Sequence, residues 1–284
     1  MRIAIITHPL DRRLRTLLDG YVPRSRGHYQ IDSILLAGRP LGLRWFHTDP
    51  TQKFRPADAA LLHVDMSLVP DAYLELAARY PLTINGRVSD IRKRLVSRNL
   101  ITRGSDWTGP VLAKTDLNSN GAPERFLHRR ATGAPLGPPA EAAEDAYHLF
   151  DAPAAVPSGL WDDPAMVFER YLPERRGDMN VLRVWSLLGK YERCSWYLSP
   201  ETVVKGRNIV DFGPSEVPAF LREERHRLGF DYGKFDFAIP PDGPVLYDAN
   251  RTPATISARP ELVRDEAPRM ARALMAMVAA GKQP

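Results

Sequence analysis

Lys234-Phe235-Asp236-Phe237 and, one turn later, Tyr247-Asp248-Ala249-Asn250-Arg251-Thr252-Pro253 decide how this chain reads. Phe235–Ile239 and Val245–Asn250 are short apolar strands. Pro240-Pro241-Asp242-Gly243-Pro244 between them is a turn cluster, which predicts a hairpin. Asp248 and Asn250 are two apart on one strand, so their side chains share a face. The hairpin folds Asp236 back beside them. Two carboxylates and an amide oxygen then converge, all hard oxygen ligands of the kind that hold magnesium together with substrate phosphates. The alternative is that Asp248 and Asn250 only shape a turn before Pro253.

Upstream, Met166–Leu172, Val181–Leu188 and Tyr191–Leu198 read as strands, the last two joined at Gly189-Lys190 as a hairpin. Glu216–Leu228 and Glu266–Ala280 read as helices, the second repeating Met270, Leu274 and Met277 at helical spacing. In the first third, Arg2–Thr7, Ala59–Val64 and Leu82–Asn85 are strand candidates, and Asp11–Leu18 and Pro70–Arg79 are helix candidates. Strands alternating with helices imply a mostly parallel sheet. Ser89 caps an expected basic helix over Asp90–Asn99, and Val111–Lys114 is a further strand. Ala131–Pro164, rich in Ala, Pro and Gly, has no helix or strand pattern and reads as a solvated insertion or a lid.

The chain has 284 residues, 44% hydrophobic and 26% charged, enough to bury a substantial core in one large or two small domains. The apolar opening Ile3–Ile6 is far too short for a membrane span or a signal peptide. Cys194 is the single cysteine and reads as a small buried hydrophobe. A cytoplasmic protein is expected. Net charge is +5 (39 − 34) with the basic residues scattered, unlike the basic stripe of a nucleic-acid binder. Anionic small molecules suit that charge better. Only seven of the 39 basic residues are lysines, so lysines beside turns stand out.

Most standard chemistry is missing: there is no phosphate-binding Gly-x-x-x-x-Gly-Lys-Ser/Thr loop, no dinucleotide fingerprint, no His-Glu-x-x-His and no nucleophile elbow. The seven histidines show no metal spacing.

The carboxylate set, taken with the upstream lysines, resembles the ATP-grasp superfamily over roughly Asn85 to the C-terminal end, closest to its glutamate-ligase, RimK-type branch. The resemblance implies that Asn85–Lys93 carries a first nucleotide lysine, Lys93, and that Val111-Leu112-Ala113-Lys114 ends in a second, Lys114. Ser119-Asn120-Gly121 stands at the flexible loop, and Glu169-Arg170-Tyr171 lies in the hinge strand that faces adenine. It implies a ribose-binding acid at Asp178, phosphoryl-facing arginines at Arg183 and Arg207, and further nucleotide contacts at Lys205 and Asn208. Asp236, Asp248 and Asn250 fall on the metal positions.

The implied fold is α/β, with α+β character in its C-terminal part. An N-terminal α/β domain over residues 1–85 precedes a two-part ATP-grasp region over 86–284, with the insertion or lid at 131–164. The implied cofactors are ATP and two magnesium or manganese ions. The implied activity is a carboxylate–amine ligase working through an acyl phosphate, on small-molecule or peptide substrates, with an amino acid or peptide as first choice. Relatives pair as dimers or tetramers, so a homodimer fits, although no exposed apolar stripe demands one; neither nucleic acid nor membrane is implied. His8, Arg12 and Arg24 are candidates to face an anionic acceptor or simply solvent. A phosphotransferase and a nucleotide-binding protein without turnover are the alternatives. The chain departs from the family in having aspartate at 248 where glutamate is usual and a single glycine in Asn118–Gly121.

Overall fold

The computed structural model describes residues 1–11, 29–136, 147–254 and 260–281. β1 (Arg2–Ile6) is an apolar run whose last four residues are buried, as expected of a central parallel strand. α1 (Gln30–Gly38), β2 (Arg44–Thr48), β3 (Ala59–Leu62), α2 (Asp71–Ala78) and β4 (Thr83–Ile84) follow. The four strands form a parallel sheet in the order β2-β1-β3-β4. Successive side chains alternate between its faces. Ile3, Ile5 and Leu61 pack against Ile31, Ile34 and Leu35 of α1, while Ala4, Ile6 and Leu62 pack against Tyr73, Leu76 and Ala77 of α2.

α3 (Lys93–Val96), β5 (Val111–Thr115), α4 (Ala122–Thr132), β6 (Tyr147–Phe150), α5 (Ser158–Trp161) and β7 (Met166–Arg170) come next. Three of these strands form an antiparallel sheet, β6-β5-β7. The remaining elements are β8 (Glu174–Arg176), β9 (Met179–Leu188), β10 (Tyr191–Ser199), β11 (Asp211–Pro214), α6 (Ala219–Leu228), β12 (Tyr232–Ala238), β13 (Val245–Asn250) and α7 (Pro260–Ala280). Their strands build a six-stranded antiparallel sheet in the order β11-β10-β9-β12-β13, with β8 paired to β9. One face of this sheet buries Trp185, Phe235, Phe237 and Leu246 against Leu221 and Leu228 of α6. α7 returns to the first sheet, where Met270, Leu274 and Val278 complete the core around Ile3, Ile5 and Ile34.

Both expected hairpins are present, and β12–β13 is registered with Asp236 opposite Asp248 and Lys234 opposite Asn250. The expected helix over Asp90–Asn99 is only α3, because Asp90 takes the Arg92 N–H in a local turn and Arg92 is extended. The stretch Ala131–Pro164 contains β6, a 3-10 turn at Pro153–Ala155 and α5; its residues 137–146 lie outside the described residues. The expected helix Asp11–Leu18, with Arg12, and the candidate Arg24 lie outside them too, apart from Asp11. Among the described residues, no helix is long and apolar enough to cross a membrane.

Candidate functional site

A solvent-open cleft of about 840 Å³ lies between the three-stranded and six-stranded sheets. Lys93, Lys114, Glu169, Arg170, Tyr171, Asp236 and Asp248 all line it. Residues 100 or more positions apart in the chain therefore meet at one place.

The lysines are deeply set: Lys93 and Lys114 are each 3% exposed. Lys93 Nζ donates to the Leu117 carbonyl at 2.7 Å. Burial lowers its pKa, and the charges of Asp248, Glu169 and Asp116 work against that shift. Lys114 Nζ lies 2.8 Å from Glu169 Oε2 and donates to the Tyr247 carbonyl at 3.0 Å.

Asp236 owes its direction to strand alternation, since Phe235 and Phe237 on either side point into the core. Asp248 owes its direction to a β-bulge. Asp236 pairs with Asp248 but Phe237 pairs with Leu246, which leaves Tyr247 as the extra residue. Without it, Leu246 and Asp248 would share a face, and the carboxylate would point into the core that Leu246 fills. Burial pushes the Asp236 pKa up, and the facing Asp248 adds to this while Lys234, with Nζ 3.0 Å from Asp236 Oδ2, opposes it. Oδ1 of Asp236 and Oδ1 of Asp248 are both buried and have no hydrogen-bond partner. Two orphaned carboxylate oxygens on facing residues suit a hard divalent cation. Among the described residues, no group of three or more His, Cys, Asp or Glu side chains is placed to hold a metal ion, so a cation held here would need ligands beyond these two carboxylates.

No family model matches the chain, and no curated protein matches it. Its structure is similar to that of an ATP-grasp ligase, PsnB, complexed with a phosphomimetic variant of minimal precursor, Mg and ADP. The TM-score is 0.54 at 13% identity, with 97% of this chain and 98% of that chain covered. The same ligase complexed with minimal precursor gives a TM-score of 0.53 at 14% identity, covering 96% and 98%. The chain has the ATP-grasp fold. A RimK domain ATP-grasp protein from Sphaerobacter thermophilus aligns at 15% identity over 97% of this chain and 100% of that one. Its TM-score of 0.46 is too low to argue a branch from.

Within the ATP-grasp fold, the other residues singled out from the sequence are distributed less tightly. Arg170 and Tyr171 line the cleft, but their backbone N–H groups already donate to Asn99 and Pro110 carbonyls. Asn250 lies just beyond the cleft, and its Oδ1 accepts from the N–H and hydroxyl of Thr252. Ser119, Asn120 and Gly121 form a tight turn with three successive positive φ angles of 47°, 55° and 67°. That turn leads into α4 rather than across the cleft. Asp178 sits exposed at the tip of the β8–β9 hairpin. Arg183 points away from the cleft, on the face of β9 opposite Leu182, where it chelates Glu174 at 2.6–3.1 Å and donates to Ser215 Oγ. Lys205, Arg207 and Asn208 belong to the β10–β11 loop, whose Thr202, Val203 and Val204 reach the cleft instead.

Glu174, Tyr247 and Tyr147 are among the cleft residues that the sequence does not mark as functional. Glu174 is 9% exposed, lines the cleft, and accepts from Arg183 and the Ile239 N–H. Tyr247 spans the two sheets, its carbonyl receiving Lys114 and its hydroxyl donating to the Leu172 carbonyl at 2.8 Å. Tyr147 enters from β6. Only Tyr247 left a sequence signal, its place beside Asp248.

Proposed function

We propose that the protein is an ATP-dependent carboxylate–amine ligase acting through an acyl phosphate on an amino acid or peptide. The observation that carries this is the pair of orphaned oxygens on Asp236 and Asp248 facing the Lys93 and Lys114 ammoniums across one cleft. Cations and unsatisfied carboxylates together fit a metal–triphosphate better than they fit any neutral ligand.

In this reading Lys93 and Lys114 neutralise phosphate oxygens as point charges, and Lys234 holds Asp236 in place beside them. Asp236 and Asp248 would hold a magnesium ion, with Asn250 able to join them if its Oδ1 gave up the Thr252 contacts, and the ion would supply charge neutralisation for the transfer. Leu112, Leu182, Val203 and Val204 give the cleft an apolar end suited to a purine, with the Glu169–Tyr171 strand at its edge. Glu174, not Asp178, is the acid that lines the cleft, and we assign it the ribose side. Arg183 acts through Glu174, while Ser119–Gly121, Lys205, Arg207 and Asn208 reach the phosphates only if their loops close over the cleft.

Such a site needs no side-chain nucleophile. It aligns a carboxylate with the γ-phosphoryl group, and the resulting acyl phosphate offers phosphate as leaving group to the incoming amine. The PsnB complex with Mg and ADP lends support by fold likeness.

Calorimetry with adenine nucleotides tests the reading, with and without magnesium, on the wild type and Asp248→Ala. Magnesium-dependent binding weakened at least tenfold by the substitution, about 1.4 kcal/mol, is expected. ATP that does not bind, or binds equally to both proteins, overturns the reading. ADP release that requires an amine then distinguishes a ligase from a phosphotransferase.

A further inference from the structure

A second groove, of about 1270 Å³ and open to solvent, lies at the amino ends of the parallel strands. Arg2, Arg39, Arg44 and Arg55 line it. Arg2 and Arg44 open β1 and β2 and are neighbours in the ladder, while the Asp58 N–H donates to the Arg2 carbonyl. The carboxyl ends of the same sheet lead instead to Val64 and Asp65, which meet Arg251 and Thr252 beyond the metal strand. The groove is thus at the opposite pole of this sheet from the cleft.

Some guanidiniums elsewhere are neutralised, Arg92 by Asp90, Arg94 by Asp116, Arg98 and Arg227 by Glu224, Arg222 by Glu192. Others, such as Arg79 on Phe54 and Arg176 on Trp196, rest on aromatic rings, but the groove gathers four arginines in one place. None of the four groove arginines has a carboxylate partner among the described residues. The one carboxylate in the lining, Asp58, accepts from the Arg2 backbone N–H at 2.7 Å.

Three of these arginines make contacts that hold the guanidinium in place. The Arg2 and Arg55 guanidiniums stack on the ring of buried Phe46, at 4.8 and 4.2 Å from its centroid. Arg44 Nη1 donates to the Leu43 and Arg39 carbonyls. A stacked guanidinium keeps its N–H edge free for a planar oxyanion, and fixing it beforehand reduces the entropy lost on binding. Four guanidiniums against the single Asp58 carboxylate leave the groove lining net positive, which favours a ligand that brings several negative charges at short spacing.

We infer that this groove binds a compact polyphosphate, read by guanidinium forks and independent of the cleft. Forked, bidentate contacts favour phosphate oxygens. The proposal does not depend on the ligase reading.

Calorimetry at physiological salt with inorganic tripolyphosphate tests it, using R39A/R44A/R55A and the cleft variant K114M. The groove variant should lose at least tenfold in tripolyphosphate affinity and keep its ADP–magnesium affinity, while K114M should keep a tripolyphosphate site. If the triple variant is unstable, R39A/R44A leaves the Phe46 stack in place and should still lose affinity. R44K/R55K keeps the charge but not the forks, and should also weaken binding. Unchanged affinity in the groove variants, or wild-type affinity in R44K/R55K, overturns the proposal. So does binding of hexaglutamate in place of tripolyphosphate, which would make the groove a site for acidic peptides.

Discussion

The Lys114 ammonium and the Glu169 carboxylate lie 2.8 Å apart with 4% and 2% of their side chains exposed, a nearly dry ion pair on the cleft wall. Removing one partner strands the other charge. K114M should cost about 3–5 kcal/mol of stability. K114M/E169Q should recover most of that loss, because neither charge of the pair is left without its partner. Urea denaturation of the full double-mutant cycle measures the coupling, and strict additivity would show that the pair is not coupled. Nucleotide affinity should fall in K114M and stay low in the double variant. That split separates the role of Lys114 in phosphate binding from its role in the fold.

Arg251 ties the metal strand to the parallel sheet. It is fully buried, and its guanidinium donates to the carbonyls of Val64, Val88 and Met66. Burial lowers its pKa to about 10, and the charges of Asp65, Asp90 and Glu124 oppose that shift. R251M orphans three buried carbonyls at roughly 1–3 kcal/mol each, so a loss above about 3 kcal/mol is expected. R251K can satisfy one or two of them and should fall between. Chemical denaturation midpoints for the two variants check the order; equal losses would point to lost volume rather than lost hydrogen bonds.

Glu174 and Asp178 belong to the same hairpin and predict opposite outcomes. Asp178 is exposed at its tip, so D178A should leave nucleotide affinity within about twofold and stability within about 0.5 kcal/mol. Glu174 is held by Arg183 and Ile239 at the cleft edge, so E174Q should weaken both. Nucleotide titrations of the two variants decide between them, and a large loss in D178A alone would return the ribose role to Asp178.

The legible parts of this molecule are those specified locally. The β12–β13 hairpin is written in its turn, Pro240–Pro244, and in the alternation of Phe235, Asp236 and Phe237. β1 is written as an uninterrupted apolar run. Features that depend on a partner were not legible. The facing of Arg183 follows from which side of β9 packs on α6, and nothing within β9 says so. β8 is three residues long and exists only by pairing with β9, which hid Glu174. The bulge at Tyr247 is invisible until β12 fixes the register. β2, Arg-Trp-Phe-His-Thr, is an edge strand whose polar residues mask its period.

Asp32 gives the fold a pH dependence of its own. It lies in the first turn of α1 at 5% exposure, and Oδ2 is buried without a partner. Burial raises its pKa to about 7, the nearby Asp11 adds to this, and a backbone hydrogen bond at Tyr29 opposes it. The folded state therefore holds a proton that the unfolded chain releases near pH 4. Stability from this group is full below that pH and declines as pH rises towards 7. Each tenfold difference in proton affinity corresponds to about 1.4 kcal/mol, so the decline should reach at least 1 kcal/mol. D32N imitates the protonated form and should remove this slope. Its advantage over the wild type should be small at pH 4.5 and largest at pH 8. Denaturation midpoints of both proteins across that range measure the difference, and a constant offset would show that Asp32 is ionised in the folded state throughout.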